Sequence, residues 1–252
     1  MTPTTRLLTL AGLALLTACS APSRNLTIRN YDPETDVLLS EVEVLRVGLD
    51  QDQVLDGEVV TWHDNGRLES RVNWVQGVPH GDFAAYHDDG TAAERGQFVH
   101  GKQDGTWVRW HVNGVKASES TWAAGRLHGE FNVWAKDGHQ ILMGHYHRDR
   151  PDGWWISWWP TGTKRLDGRF IRGEAHGRWT AWNPDGSKAG EGAYMDGMRN
   201  GLWIFWREDG SIMAKGSFRE DRPTGHLEVA ADSELARDPD RLFRFAFDVQ
   251  DR

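Results

Sequence analysis

A glycine recurs every 24 residues along most of this chain, at Gly57, Gly81, Gly105, Gly129, Gly153, Gly177, Gly201 and Gly225. With that glycine as position 0 of each copy, a second glycine stands at position 9 of the first seven: Gly66, Gly90, Gly114, Gly138, Gly162, Gly186 and Gly210. Aromatic residues keep the same step. Position 2 holds Val59, Phe83, Trp107, Phe131, Trp155, Trp179 and Trp203. Position 5 holds Trp62, Tyr86, Trp110, Trp134, Trp158, Trp182 and Trp206, and position 17 holds Trp74, Phe98, Trp122, Tyr146, Phe170, Tyr194 and Phe218. Seven copies without an insertion or deletion mark a stacked supersecondary unit rather than one irregular core.

Asn or Asp precedes the second glycine in Asn65-Gly66, Asp89-Gly90, Asn113-Gly114 and Asp137-Gly138. This is the strongest short hairpin signal, because both residues tolerate positive φ. Each copy is thus predicted to be a β-hairpin on a two-residue loop. That loop pairs position 2 with position 15, setting Phe83 opposite Gly96, Phe131 opposite Gly144 and Trp179 opposite Gly192, where a ring covers bare backbone. The link to the next copy, such as Gly101-Lys102-Gln103-Asp104, reads as a four-residue turn. It sets Trp74 against Phe83, Phe98 against Trp107 and Trp122 against Phe131. Positions 2, 15 and 17 then share one face and position 5 takes the other, unless a bulge intervenes.

The expected fold class is all-β, an elongated single-layer antiparallel meander of seven 24-residue hairpins with about fourteen strands, on the order of 65 Å long. The array spans 41–229, with Glu41 to Asp50 as a preceding half-repeat and Gly225 opening an eighth unit. Residues 230–252 are expected to cap it, since Arg241 to Phe247 alternate apolar residues as a closing strand does.

Composition agrees with a ring-built core. The chain has 28 Gly and 14 Trp, but only 38% hydrophobic residues. Its 29 Lys and Arg against 37 Asp and Glu give a formal charge of -8, which opposes attraction to phosphate backbones, and no nucleic-acid partner is expected.

The N-terminus carries an address. Arg6 precedes a ten-residue apolar run, Leu7 to Leu16, too short to span a bilayer as a helix. It leads into Leu16-Thr17-Ala18-Cys19, which resembles the lipobox of bacterial lipoproteins. The resemblance implies a signal peptide at 1–18, lipidation of Cys19 and a tether at 19–40. Cys19 is the only cysteine, so it has no internal disulfide partner. Two or three acyl chains would hold the chain stably at a membrane. Ser20 stands where an Asp would retain many such proteins at the inner membrane, which favours the outer membrane.

The pattern of a glycine, aromatics at positions 2 and 5 and Asp/Asn-Gly, ending in His-Gly as in His80-Gly81, His128-Gly129 and His176-Gly177, resembles MORN repeats. It is closest to the bacterial MORN-variant family, whose members are often labelled antitoxin components. The resemblance covers residues 42 to 229 and implies an elongated sheet used for binding or scaffolding, in some relatives at membranes. Thr161 replaces the turn Asp/Asn, and Asp149 and Asp221 replace a third glycine at position 20.

Chemistry-bearing residues are scattered by the repeat. His80, His128 and His176 occupy one position of alternate copies, with Asp56, Asp104 and Asp152 between them. Neighbours in that series lie about 9.6 Å apart and the histidines about 19 Å apart. A zinc ion needs ligands at about 2.0–2.2 Å, so the ladder cannot share one. His145 and His147 supply two ligands without a third. No catalytic elbow, phosphate loop or metalloprotease motif occurs, and neither enzyme activity, metal nor cofactor is expected.

The aromatic surface remains. Trp110, Trp134, Trp158 and Trp182 are candidates for exposure on a single-layer sheet. The run Trp154-Trp155-Ile156-Ser157-Trp158-Trp159 holds more rings than the repeat requires. The expected role is a lipid-anchored, non-catalytic envelope protein displaying a binding or scaffolding surface to a protein partner. Two other readings are an antitoxin-like immunity protein against an envelope-acting toxin and a module binding glycan or peptidoglycan.

Overall fold

The computed structural model describes residues 26–47, 52–225 and 228–229; Cys19, Gly48 and the segment 230–252 lie outside them. Among these residues there is no helix, and nineteen strands form one open antiparallel sheet. Each long strand pairs with the next in sequence, from Leu26–Tyr31 and Leu38–Val47 through to Gly201 and its partner Phe218 in Ile212–Arg219. The short strands Arg222–Pro223 and Glu228–Val229 then cover the last long strand. The sheet also reaches into the segment read as a tether. There Leu26–Tyr31 and Leu38–Val47 make one further hairpin, and Ile28 packs against the buried Val42 and Val59.

The two families of turns are the reverse of those expected. At the Asp-Gly turns, His87 N donates to Thr91 O and Gly90 N donates to His87 O, both at 2.8 Å. Gly90 alone in this turn has a positive φ, 89°. This is a three-residue loop, a type I turn followed by a left-handed glycine. The Asp or Asn acts through its side chain. Thr91 N donates to Asp89 Oδ1 at 2.8 Å, Val115 N to Asn113 Oδ1 at 3.1 Å and Ser211 N to Asp209 Oδ1 at 2.8 Å. At Thr161 the hydroxyl instead meets that of Thr163, at 2.7 Å.

The links between copies are the two-residue loops in which both residues are left-handed. Gln76 and Gly77 have φ of 49° and 80°, and His100 and Gly101 have 49° and 77°. Asp149 and Asp221, at 66° and 64°, take the glycine place because Asp tolerates this region.

Register follows from these loops and from two compensating bulges. The Asp-Gly loop is one residue longer than expected, and the return strand carries one extra residue. Tyr86 pairs with Ala92 while Ala85 pairs with Glu94. The two cancel, so Phe83 faces Gly96, Phe131 faces Gly144 and Trp179 faces Gly192 as expected. Across the links the expected pairs fail. Trp74 faces Pro79, Phe98 faces Gln103 and Trp122 faces Leu127. The physical reason is the period-setting glycine. Gly81, with φ 94°, is a bulge inside its strand rather than the end of a turn, and the register shifts across it.

Rings fill the core face. A Cβ at Gly96, Gly144, Gly168 or Gly192 would overlap the indole of Trp107, Trp155, Trp179 or Trp203 respectively, so each glycine is covered by a ring from the following copy. Trp203 Nε1 donates to Ala193 O at 3.1 Å and Trp155 Nε1 to His145 O at 3.2 Å. Edge-to-face contacts link the rings into a column: Tyr146–Trp155 at 5.1 Å, Phe170–Trp179 at 4.9 Å and Tyr194–Trp203 at 4.8 Å. Such pairs contribute about 0.5–1.5 kcal/mol each beyond burial. Trp179 is 1% exposed and Trp203 0%, although the sheet is one layer thick. The column is interrupted at the third copy. Ser120 stands where the second copy and the last four have Gly, Trp122 Nε1 donates to its hydroxyl at 2.9 Å, and no ring contact among the described residues joins Trp107 or Trp122 to Phe131.

Candidate functional site

Alternation along each strand separates the candidate rings. Trp155 lies on the core face, stacked on Phe131 with centroids 6.3 Å apart and edge-on to Phe170 at 5.8 Å. Its place in the column occupies both of its faces. Trp110, Trp134, Trp158 and Trp182 lie three residues beyond position 2, on the other side of the sheet, and are half-buried. Lys116 Nζ sits 5.2 Å from the ring of Trp134, Lys164 Nζ 5.2 Å from that of Trp182 and Lys188 Nζ 5.7 Å from that of Trp206. The same lysines bond carboxylates three residues on: Lys164 to Asp167 at 2.8 Å and Lys188 to Glu191 at 2.7 Å. Trp110 and Trp158 follow copies with Ala92 and Gln140 at that position, and no cation lies over them among the described residues. Sequence reasoning missed this lysine ladder, whose signal is the 24- and 48-residue spacing of Lys116, Lys164 and Lys188.

Trp159 has a structural explanation. At position 6 of other copies His63 Nε2 meets Tyr86 O at 2.9 Å, His87 Nε2 meets Trp110 O at 3.0 Å and His111 Nε2 meets Trp134 O at 2.9 Å. Trp159 Nε1 donates to Trp182 O at 2.8 Å, so the indole replaces an imidazole as the link between copies. Arg165 stacks on its ring at 4.8 Å.

Trp154 differs from the others. It is 62% exposed, directly opposite the exposed Arg169, with Ile156 and Trp158 on its face two and four residues on. Ile156 faces Met143, which is 37% exposed. The repeat itself shows how unusual this is. Position 1 is Glu58, Asp82, Thr106 and Glu130 before Trp154, then Arg178 and Leu202. Position 14 is Arg71, Arg95, Glu119, Met143, Asp167, Glu191 and Lys215, so Met143 is the one uncharged member. An apolar patch thus interrupts a face that is charged at position 14 in every other copy and at position 1 in four of the seven. Trp154, Met143, Ile156 and Trp158 are its members.

Titratable groups serve the backbone. Hydrogen bonds hold several turn carboxyls below the usual carboxylate range: chiefly from the Thr91 hydroxyl for Asp89, the Ser187 hydroxyl for Asp185, the Ser211 hydroxyl for Asp209 and the His139 N–H for Asp137. On the opposite rim His80 and His100 have ring centroids 5.2 Å apart, and His128 and His147 4.7 Å. His80 Nδ1 accepts from His100 N at 3.4 Å, and Asp104 Oδ2 accepts from Ala124 N at 3.0 Å. Among the described residues no three His, Cys, Asp or Glu side chains are grouped to hold a metal ion.

No curated protein matches the chain. A solved structure of a protein of unknown function from Bacteroides fragilis NCTC 9343 is similar at 7% identity and a TM-score of 0.13, over 82% of this chain and 94% of that one. Residues 55–76, which span the first Asn-Gly hairpin, carry a MORN repeat variant.

Proposed function

We propose that this is a lipid-anchored envelope protein whose hairpin array is a non-catalytic binding surface for a protein partner. The observation that supports it is the patch of Trp154, Met143, Ile156 and Trp158. Exposed Trp is costly on a soluble surface and is the residue type most enriched at energetic centres of interfaces. Arg169 beside it supplies a charged rim of the kind that surrounds such anchors. The lipid on Cys19, at the outer membrane, would hold the array at the envelope. In affinity capture from the native envelope, wild-type protein should retain a partner that Trp154→Ala loses. Equal recovery by both would remove the patch from the reading.

A glycan reading also draws on the open face of Trp154 with Arg169 opposite, since sugars stack on indole and hydrogen-bond to guanidinium. It predicts a change in tryptophan fluorescence on titration with peptidoglycan fragments, absent in Trp154→Ala.

A further inference from the structure

Most described histidines of the array commit a ring nitrogen to the fold. His63, His87 and His111 reach carbonyls of the next copy, His139 Nδ1 lies 3.1 Å from Asp137 Oδ1, and His176 Nδ1 lies 3.7 Å from Asp196 Oδ1. His128, His145 and His147 do not. No hydrogen bond or ion pair among the described residues engages their rings.

Strand pairing brings these three to one face. His145 and His147 flank the buried Tyr146, so both side chains leave the sheet on the side away from the ring column. Tyr146 pairs with Gly129 and His145 with Glu130, which places His147 opposite His128, and those two rings have centroids 4.7 Å apart. His128, Glu130, His145 and His147 thus form a four-cornered block on two adjacent strands. The sequence hides it because His128 belongs to the preceding strand.

Two imidazoles on one tetrahedral zinc, each bound at about 2.0–2.1 Å, have ring centres about 5 Å apart. The His128–His147 pair already stands near that spacing. No three side chains converge on one point as they stand. Rotation of the His145 side chain brings a third imidazole toward the pair, and that residue is exposed and has no partner to give up. Glu130, opposite His145, adds a carboxylate that offsets the charge of an ion. Arg150 opposes His147 from the other side, but its stem lies along Gly173 in the next link.

We propose that His128, His145 and His147 are the three protein ligands of a zinc-like divalent transition ion, with Glu130 beside the fourth position. Three imidazoles suit zinc, copper or nickel, whereas magnesium and calcium prefer oxygen ligands. His80 and His100 are the internal control. Their rings are 5.2 Å apart, but His80 Nδ1 accepts from His100 N, and Gln97 stands where this block has His145. The site draws on neither the lipid nor the Trp154 patch.

The test uses the full chain, untagged and with Cys19→Ser so that no thiol competes. Calorimetric titration with zinc chloride at neutral pH should show one ion per chain, and cobalt chloride should give the intense visible bands of a four-coordinate site. His128→Ala, His145→Ala and His147→Ala should each weaken zinc binding by at least about 100-fold, the upper end of what losing a ligand's supporting partner costs. His80→Ala should leave it unchanged. Absence of zinc binding, binding that survives His145→Ala, or an equal loss on His80→Ala would each overturn the proposal.

Discussion

The indole of Trp203 lies against the backbone of Gly192, so closely that a methyl group on that glycine would occupy the ring's own position. Ring and glycine belong to successive copies, and this contact is the unit from which the column is built. Gly192→Ala is expected to destabilise the fold by about 1–3 kcal/mol through overpacking. Trp203→Ala should cost about 3–5 kcal/mol through the cavity it leaves. Urea unfolding followed by circular dichroism checks both, with a mild effect of Gly192→Ala counting against the close contact.

Trp159 tests a different interaction. Its N–H reaches Trp182 O where other copies use a histidine. Trp159→His should therefore cost less than Trp159→Ala, which leaves the carbonyl unmet at about 1–3 kcal/mol. If the two variants lose the same stability, the hydrogen bond is not what the position contributes.

Trp154→Ala removes a ring that is mostly in solvent, and its stability should stay within about 0.5 kcal/mol of wild type. A thermal midpoint lowered as far as by a core substitution would show that the ring is packed rather than displayed.

Acid sensitivity follows from the turns. The folded-state carboxyls of Asp89, Asp137, Asp185 and Asp209 are held below their ordinary range. Their contribution is thus complete above the unfolded value, near pH 4, and is lost as pH falls through the folded values. The urea midpoint should drop on acidification below about pH 4. Replacing all four by Asn, which keeps the acceptor oxygen without titrating, should flatten that drop.

Anchoring has its own experiment. Cys19→Ser should move the protein from the membrane to the soluble fraction; persistence in the membrane fraction would rule out lipid as the anchor.

Much of the architecture was legible because glycine spacing is a strong constraint. The pairing of Phe83 with Gly96 came out as expected because a bulge in the return strand cancels the extra residue of the Asp-Gly loop. The turn types did not, since an Asp-Gly step serves both a two-residue loop and a three-residue loop ending in a left-handed glycine. The residues that reveal the true two-residue loops are Gln76, Ala124 and Arg148, none of which is a usual left-handed residue. In the Trp-rich run, density of rings suggested one cluster, whereas alternation sends Trp155 to the core and Trp154 to the surface. Trp159 was opaque because its partner, the carbonyl of Trp182, lies 23 residues away.

The bulge at each period-setting glycine adds local right-handed twist to a sheet whose neighbouring strands already rotate by about 20–25°. Two strands per copy turn equivalent side chains by about 45° from one copy to the next. Trp110, Trp134, Trp158 and Trp182 are therefore arranged as steps of a spiral stair. A rigid, flat partner can rest on only about two of those steps at once, and a longer contact requires a partner that winds with the sheet.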